Sequence, residues 1–267
     1  MTQLAGQPGQ AGPEAPGAWD QQEIAGLTLA YGRRIELGGT LNLRDLGGYP
    51  AAGGGFVRWR TLLRSDALHK LDPAGLATLS ELGLRTVVDL RTQLEAETAP
   101  SALDGLPVQL AHISILSGDM QSLPIELEAI YRYMITECGD AIGAAIKELC
   151  MEQATPALVH CSAGKDRTGV VIALVLAALG VPDQVIAADY ALSSIYLDPD
   201  RTPAIGQVQA STGLGDDLTR QLMTSPPALI LDTLAWVRAA SGSVDGYLVE
   251  HGVDSDDLAE LRAALIA

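Results

Sequence analysis

Apolar residues along this chain occur in short blocks that suit buried strands and in longer segments that suit helices. The short blocks predict strands near residues 27–29, 34–37, 57–65, 84–90, 108–113 and 157–159. The longer segments predict helices near residues 72–82, 123–138, 141–150, 170–179, 183–193, 228–237 and 255–266. Strands that alternate with helices across short connections predict an α/β domain with a central, largely parallel sheet flanked by helices.

Boundary signals support several of these elements. Asp72 and Pro73 are a capping residue and a first helical residue, and Gly83 ends the helix that they begin. Three consecutive glycines at 53–55 predict the tip of a hairpin. The polar, acidic residues 92–105 predict a solvated helix or loop.

The N-terminus differs in composition from the rest of the chain. Residues 1–20 are rich in Gly, Pro, Gln and Ala without periodicity, which predicts a disordered N-terminal extension. Residues 21–267 then suit a single domain.

Composition narrows the possible partners. The 267 residues carry a formal net charge of -16, which repels nucleic acid and anionic membrane surfaces at long range. Three cysteines are too few for a disulfide scaffold and suit a reducing compartment. The apolar segment 170–179 is too short to cross a bilayer, and no basic stretch followed by an apolar run marks a signal peptide. These features predict a cytoplasmic protein with no integral membrane segment and no nucleic-acid partner.

One turn concentrates the candidate chemistry. Residues 160–169, with the sequence HCSAGKDRTG, join the predicted strand 157–159 to the apolar helix that follows. Backbone N–H groups at a helix N-terminus lack intrahelical partners and lie at the positive end of the helix dipole, so this turn predicts an anion-binding site. Arg167 suits two oxygens of one phosphate group. The predicted phosphate-binding residues are Ser162, Ala163, Gly164, Lys165, Asp166, Arg167 and Thr168.

Cys161 stands at the mouth of this turn. A thiol among these donors loses its proton more readily and becomes a nucleophile aimed at phosphorus. Cys138 and Cys150 lie among apolar neighbours without a Gly-rich basic turn after them, which predicts buried, inert thiols. Cys161 is therefore the predicted catalytic nucleophile, and Arg167 is the predicted catalytic clamp.

The order of His160 and Cys161, five further residues, and then Arg167 and Thr168 resembles the signature of the cysteine-dependent protein tyrosine phosphatase superfamily. Residues 42–49 (NLRDLGGY) and 87–91 (VVDLR) resemble motifs of a bacterial branch of this superfamily that includes a secreted mycobacterial tyrosine phosphatase. The resemblance spans about residues 25–267. It implies a tyrosine/dual-specificity phosphatase-like fold and hydrolysis of phosphate monoesters through a cysteinyl-phosphate intermediate. It also implies that residues 190–235 form a lid, with a purely packing role as the alternative, and that secretion without a recognisable signal is possible.

Hydrolysis needs a proton donor for the leaving oxygen, and three carboxyl groups are candidates. The Trp-Pro-Asp pattern that many superfamily members use does not occur in the sequence. Asp89 is the first candidate because it lies at a predicted strand end and matches the branch motif. Asp166 within the turn is the second and Asp119 the third. A structural bond between Asp89 and a nearby arginine is the alternative to its catalytic role.

Other polar residues have expected supporting roles. His160 is expected to orient the turn through hydrogen bonds, and the Thr168 hydroxyl to donate to the thiolate. His112 is expected to be a loop histidine with satisfied hydrogen bonds. Arg44 and Asp45 are expected to form an ion pair that pins their loop, with packing of this loop beside the phosphate site as the functional alternative.

The sequence also limits cofactors and substrates. No His and acidic residues have metal-ligand spacing, and the proposed chemistry needs no cofactor. The glycine spacing before Gly164 excludes a nucleotide-binding P-loop, and a non-catalytic phosphate-binding module would be expected to lack Cys161 or Arg167. The expected partner is a phosphorylated protein or a phosphoinositide. Lys165, as a second cation, and an aromatic content of only 4% favour a broad range of monoesters.

Overall fold

The computed structural model describes residues 32–116, 126–197 and 224–267. Within them, five strands form one sheet in the order β1-β2-β5-β3-β4. Strand β1 is antiparallel to β2, and the other neighbours are parallel. The strands are β1 (Arg44–Asp45), β2 (Leu62–Ser65), β3 (Thr86–Asp89), β4 (Gln109–His112) and β5 (Ala157–His160). Helices flank this sheet, so the predicted α/β fold with a largely parallel sheet is confirmed.

The helices of the described residues follow the predicted segments closely. They are α1 (Pro73–Glu81), α2 (Gln93–Thr98), α3 (Leu127–Glu137), α4 (Gly139–Cys150), α5 (Asp166–Ala178), α6 (Asp183–Tyr196), α7 (Pro227–Ser241), α8 (Val244–Glu250) and α9 (Ser255–Leu265). Helix α8 has no counterpart among the predicted elements. None of the helices in the described ranges has the length and apolarity that crossing a bilayer requires.

Two predicted strands differ from the structure. The strand predicted at 34–37 is wrong, because this stretch makes only an isolated bridge between Arg34 and Arg44. The strand predicted at 57–65 begins only at Leu62, because Arg60 adopts a left-handed conformation with φ 60° that interrupts an extended chain. The backbone N–H of Arg60 donates to Asp45 Oδ2 at 2.8 Å, which stabilises this break.

Some predictions lie wholly or partly outside the described residues. These are the N-terminal extension 1–20, the strand 27–29, the middle of the lid segment 190–235, and Asp119.

The core lies on both faces of the sheet. Along β5, Ala157 and Val159 belong to a large hydrophobic cluster that includes nearly all of α5, whereas Leu158 belongs to a smaller cluster with Leu79 of α1. Alternate residues of a strand point to opposite faces, so this division places helices on each side of the sheet.

The parallel strands place their carboxyl ends at one edge of the sheet. In the register of the sheet, His160 at the end of β5 lies between Ser65 of β2 and Asp89 of β3. The segments that follow these three strands therefore meet where sheets of this kind bind ligands.

Candidate active site

The predicted strand-to-helix turn is present at this edge. Strand β5 ends at His160 and helix α5 begins at Asp166, and we call residues 161–167 the phosphate loop. Gly164 has φ +67°, and a Cβ atom there would lie 2.3 Å from the carbonyl oxygen of Ser65. Glycine is therefore required both for the backbone conformation and for the close approach of the loop to β2.

The surrounding protein anchors the carbonyl groups of the phosphate loop. The donors are His160 Nδ1 to Cys161 O (3.2 Å), Ala67 N to Ser162 O (3.0 Å), Asn42 Nδ2 to Ala163 O and Gly164 O (2.9 and 3.1 Å), and Arg64 Nη2 to Gly164 O (2.8 Å). In a trans peptide the N–H points away from the C=O, so the N–H groups of the loop point away from these anchors. Those of Ser162, Ala163 and Gly164 donate to no other described residue. They remain available to an anion.

Cys161 lies within this loop and is 2% exposed. Thr168 Oγ1 is buried and makes no hydrogen bond to any described residue, so the expected bond to the Cys161 sulfur is not among the contacts of the structure. Cys138 and Cys150 are buried, as predicted, and burial raises the pKa of both thiols, that of Cys150 to about 12. Cys161 is buried as deeply as these two thiols, so it differs from them in its place within the phosphate loop and not in exposure.

Glu95 on α2 binds the guanidinium group of Arg167. Arg167 Nη1 donates to Glu95 Oε2 at 2.6 Å and Nη2 donates to Oε1 at 2.9 Å. The Ser162 hydroxyl also donates to Glu95 Oε1, at 2.5 Å. Burial disfavours the charged carboxylate, but the hydrogen bonds and charge of Arg167 outweigh burial and hold the pKa of Glu95 well below its usual range.

Sequence reasoning missed Glu95, which it assigned only to a solvated stretch. The available signal was a capping box: Thr92 Oγ1 accepts from the Glu95 N–H, and Glu95 Oε2 accepts from the Thr92 N–H. This motif fixes the start of a helix at the sheet edge, where Glu95 can reach the phosphate loop.

Asp89 is buried and bound to Arg91. Arg91 Nε donates to Asp89 Oδ1 at 2.9 Å, and Nη2 donates to Oδ2 at 2.6 Å. Burial raises the pKa of Asp89, but the hydrogen bonds from Arg91 lower it by more. The pKa of Asp89 is therefore below its usual value. The structural bond to an arginine, which the sequence left as the alternative, is thus present. His160 Nε2 lies 3.6 Å from Asp89 Oδ2.

Asp166 occupies a different environment at the start of α5. Its side chain is 31% exposed, and its Oδ1 accepts a hydrogen bond from the Tyr131 hydroxyl at 2.9 Å. Lys165 Nζ lies 3.1 Å from the same oxygen. The Lys165 side chain is 1% exposed, and Nζ also donates to the carbonyl oxygen of Thr224 at 2.8 Å. The charge of Lys165 therefore lies beside Asp166.

Residues 42–49 contact the phosphate loop through the side chain of Asn42. The expected ion pair between Arg44 and Asp45 is wrong, because neighbouring residues of a strand point to opposite faces. Arg44 pairs with Asp189 at 2.9 Å, and Asp45 instead accepts from the backbone N–H groups of Gly47 and Arg60. The alternative expectation, that residues 42–49 pack beside the phosphate site, is confirmed because Asn42 donates hydrogen bonds to the phosphate loop.

Two further observations complete the site. His112 has a satisfied ring nitrogen, as expected, with Nε2 2.9 Å from the carbonyl oxygen of Arg91.

Within residues 32–116, 126–197 and 224–267, no three His, Cys, Asp or Glu side chains form a group that could hold a metal ion. A cysteine in an anion-binding turn, opposite an arginine at the carboxyl edge of a parallel sheet, is the arrangement of a cysteine-dependent phosphatase.

Comparisons with known proteins identify the family. A model of the tyrosine phosphatase family matches residues 35–267. The chain is 29% identical over 277 residues to the triple specificity protein phosphatase PtpB of Mycobacterium tuberculosis, covering 86% of this chain and 98% of that protein. It is 28% identical over 220 residues to a tyrosine-protein phosphatase of Nostoc commune, covering 76% and 73% of the two chains. The crystal structure of P. aeruginosa TpbA aligns with a TM-score of 0.32 and 20% identity, covering 63% of this chain and 89% of that chain. The chain belongs to the tyrosine phosphatase family and is a protein-tyrosine phosphatase, a phosphoric monoester hydrolase.

Proposed function

We propose that this enzyme hydrolyses phosphate monoesters on proteins with Cys161 as the nucleophile and Arg167 as the phosphate clamp. In the first step, Cys161 Sγ forms a bond to phosphorus while the bond from phosphorus to the leaving oxygen breaks and that oxygen takes a proton. In the second step, water attacks phosphorus, the S–P bond breaks, and inorganic phosphate leaves with Cys161 restored as thiolate.

The phosphate loop supports this proposal most directly. Its carbonyl groups are bonded to the surrounding protein, so its N–H groups are fixed before substrate arrives and lie near Cys161 and Arg167. Donors that are already oriented stabilise the charge of the transferring phosphoryl group without reorganisation. Thr168 is proposed to donate its hydroxyl hydrogen to the thiolate.

The nucleophile is tested by hydrolysis of para-nitrophenyl phosphate in the presence of a chelator. Cys161→Ser is expected to abolish turnover, because an alcohol at this position is a far weaker nucleophile than a thiolate. Cys138→Ser, at a buried thiol away from the loop, is expected to keep it. Equal activity of Cys161→Ser and the native enzyme would contradict the proposal.

We assign the proton donor to Asp166. Both oxygens of Asp89 accept hydrogen bonds from Arg91, which also lowers the pKa of Asp89, so neither oxygen is free to face a leaving group. Asp166 is partly exposed within the loop and is oriented by Tyr131. These contacts favour Asp166, although the sequence motif ranked Asp89 first.

Leaving groups of different basicity test this assignment. Asp166→Asn is expected to lower kcat for phenyl phosphate by about a hundredfold, because a poor leaving group needs protonation, while para-nitrophenyl phosphate slows much less. Asp89→Asn is the matched variant and is expected to slow both substrates equally, through loss of its bonds to Arg91. The reverse pattern would return the role of proton donor to Asp89.

Phosphotyrosine proteins are the proposed substrates, in keeping with the names of the relatives. Lys165, which adds a second cation within the phosphate loop, favours phosphoinositides as the second candidate, and the mycobacterial relative is named for triple specificity. Comparison of kcat/KM for a phosphotyrosine peptide, a phosphoserine peptide and phosphoinositide vesicles separates these substrates. Turnover of vesicles alone would contradict the assignment of protein substrates.

A further inference from the structure

A buried ionic cluster lies next to the phosphate loop and has no role in the mechanism described so far. At its centre is Asp189 of α6, whose side chain is 1% exposed. Asp189 Oδ1 accepts from Arg44 Nε at 2.9 Å and from the Tyr49 hydroxyl at 3.0 Å, and Oδ2 accepts from Arg64 Nη1 at 2.6 Å. We call Arg44, Arg64, Tyr49 and Asp189 the Asp189 cluster.

The charges of this cluster do not cancel. Burial disfavours the charged form of Asp189, but Arg44 and Arg64 outweigh it and hold the pKa of Asp189 well below its usual range. Burial raises the pKa of Tyr49 well above its usual value, so its hydroxyl is neutral. Two guanidinium groups and one carboxylate leave a surplus positive charge.

Among the described residues, Asp189 is the only carboxylate that forms an ion pair with Arg44 or Arg64. Asp66 accepts hydrogen bonds from the backbone N–H groups of Leu41 and Asn42, and it forms no ion pair with any described residue. A buried, unbalanced charge is costly, so an anion is expected nearby when the enzyme is in its active state.

Arg64 connects the surplus charge to the phosphate loop. Its Nη2 donates to Gly164 O at 2.8 Å and lies 3.4 Å from Lys165 O. The Arg64 side chain is 1% exposed, so little water screens it from the loop. The charge of a Cys161 thiolate is one of those that favour the cationic form of Arg64, although burial lowers the pKa of Arg64 overall.

We propose that Arg64 is a positioning residue of the phosphatase reaction, which orients the Gly164 peptide and whose surplus positive charge is balanced by the anion on the phosphate loop. That anion is first the Cys161 thiolate and then the phosphate. Arg64 touches neither reacting atom and acts through the loop carbonyl and through its field. The inference rests on the proposed function, because it takes Cys161 as the nucleophile.

The effect of the Arg64 charge on the electrostatic potential at Cys161 is measured by alkylating Cys161 with two reagents. Iodoacetate is an anion, and iodoacetamide is neutral. The ratio of the two rates reports the local potential, because changes in thiolate reactivity or access affect both reagents alike. Arg64→Met is expected to lower the iodoacetate to iodoacetamide ratio by about threefold or more, because a cation in a low-dielectric site is lost. Asp189→Asn is expected to raise the ratio, because it removes the only negative charge of the cluster.

The opposite signs of these two changes decide between a charge effect and a structural one. If both variants shift the ratio in the same direction, or if Arg64→Met leaves it unchanged, the proposal is overturned. Because Arg64→Met replaces a fully buried residue and can fail to fold, Arg64→Lys is measured as well. It keeps the cation, so the ratio is expected to stay within about twofold of native, while the inhibition constant of inorganic phosphate rises several-fold through loss of the bond to Gly164 O.

An ion pair between α6 and α7 is the control. Arg238 of α7 binds Asp183, the first residue of α6, through two hydrogen bonds of 2.6 and 2.8 Å. Arg238→Met is expected to leave both the alkylation ratio and phosphate inhibition at native values, and a drop in the ratio there would overturn the assignment to Arg64. Mapping the alkylated residue keeps this test separate from the proposed function, which fails instead if Cys161→Ser remains active.

Discussion

Glu95 meets the guanidinium group of Arg167 end-on. Its two carboxylate oxygens take one hydrogen each from Nη1 and Nη2, and Nε makes no hydrogen bond to a described residue. Nη2 also donates to the Ser162 hydroxyl at 3.4 Å, so Nε is the guanidinium nitrogen left without a partner among the described residues and can donate to a phosphate oxygen. Glu95 holds Arg167 in this orientation, and the Ser162 hydroxyl ties the same carboxylate to the loop.

Replacement of this carboxylate tests its role. Glu95→Gln is expected to lower kcat/KM for para-nitrophenyl phosphate by about tenfold, because Arg167 loses a charged partner worth about 1.5–3 kcal/mol and becomes mobile. Steady-state kinetics measure the effect. A rise in kcat/KM would show instead that Glu95 competes with the substrate for Arg167.

Two control variants separate orientation of Arg167 from stability of α2. Thr92→Ala removes the other half of the capping box, so it weakens the helix by about 1 kcal/mol without touching Arg167. Glu97→Gln changes an exposed carboxylate on the same helix, which accepts a hydrogen bond from Gln93. Both are expected to retain near-native kcat/KM, and a loss in Thr92→Ala equal to that in Glu95→Gln would assign the effect to the helix.

Individual residues differ in how much the sequence reveals about them. Cys161 and Arg167 can be identified because the loop, the strand before it and the helix after it are contiguous. The partner of Arg167 is 72 residues away along the chain, and that of Arg44 is 145 residues away. Such pairings depend on how elements pack, and the adjacent acidic residue, Asp45, is the wrong choice because a strand turns it to the other face.

At the scale of elements, patterns of apolar residues located the helices and parallel strands but not their ends. A single residue at positive φ, Arg60, shortens β2, and no pattern of apolar and polar residues encodes that conformation. Helix α8 was missed although Ser243 caps it by accepting from the Gly246 N–H, because the segment is too short to show periodicity. The capping signal alone could have located it.

Helix α5 begins within the phosphate loop and continues as an apolar helix. Its first residues form the end of the phosphate loop, and from Val170 to Leu176 every residue is at most 2% exposed. The body of the helix therefore fixes the loop to the core, and stability and chemistry can be changed separately along one element.

Truncation in this body tests that separation. Leu174→Ala is expected to lower the free energy of unfolding by about 2–5 kcal/mol, because it removes a fully buried side chain and leaves a cavity. Urea unfolding measures this loss, while kcat/KM at low temperature is expected to stay within about threefold of native. Leu94→Ala, at a side chain 74% exposed, is expected to change stability by less than about 0.5 kcal/mol. An equal loss in both variants would contradict the assignment of α5 to the core.

At the scale of the whole molecule, a strongly acidic chain groups three of its cations at the proposed phosphate-binding site. The net charge of -16 repels phosphorylated substrates at a distance, whereas Arg64, Lys165 and Arg167 lie together, largely buried, at the phosphate loop. The alternation of strands and helices predicted the sheet edge at which these three cations lie. It did not predict the Asp189 cluster, because that cluster joins β1, β2 and α6 only after the sheet and helices have packed.

Burial also makes the stability of the whole molecule depend on pH. His160 is fully buried, and burial lowers its pKa from 6.5 to about 4, although Asp89 acts in the opposite direction. Because the unfolded chain binds a proton near pH 6.5 and the folded chain does not, the folded state loses stability as pH falls from 6.5 towards 4. The fall of this pKa from 6.5 to about 4 corresponds to at most about 3.5 kcal/mol of stability, at about 1.4 kcal/mol for each pH unit.

Other carboxyl groups act mainly at lower pH. The lowered pKa values of Glu95, Asp89 and Asp189 contribute stability above about pH 4 that is lost at lower pH, as these groups become protonated. Burial raises the pKa of Asp45 and Asp66, so these two have the opposite sign and favour the folded state in acid. Partial burial also lowers the pKa of His69, which has the same sign as His160, but His69 is exposed whereas His160 is fully buried, so His160 is expected to account for most of the slope between pH 6.5 and 4.5.

Urea unfolding at several values between pH 7 and 4.5 tests this expectation. The native protein should lose stability steadily over the interval, whereas His160→Asn should show a nearly flat profile, because an asparagine side chain has no proton to gain while its amide could still donate to Cys161 O. His112→Asn, at an exposed ring, is the matched control and should keep the native slope. A slope of the same size in His160→Asn would show that another group takes up the proton on unfolding. In that case the buried histidine beside Cys161 would hold the loop without setting the acid limit of the fold.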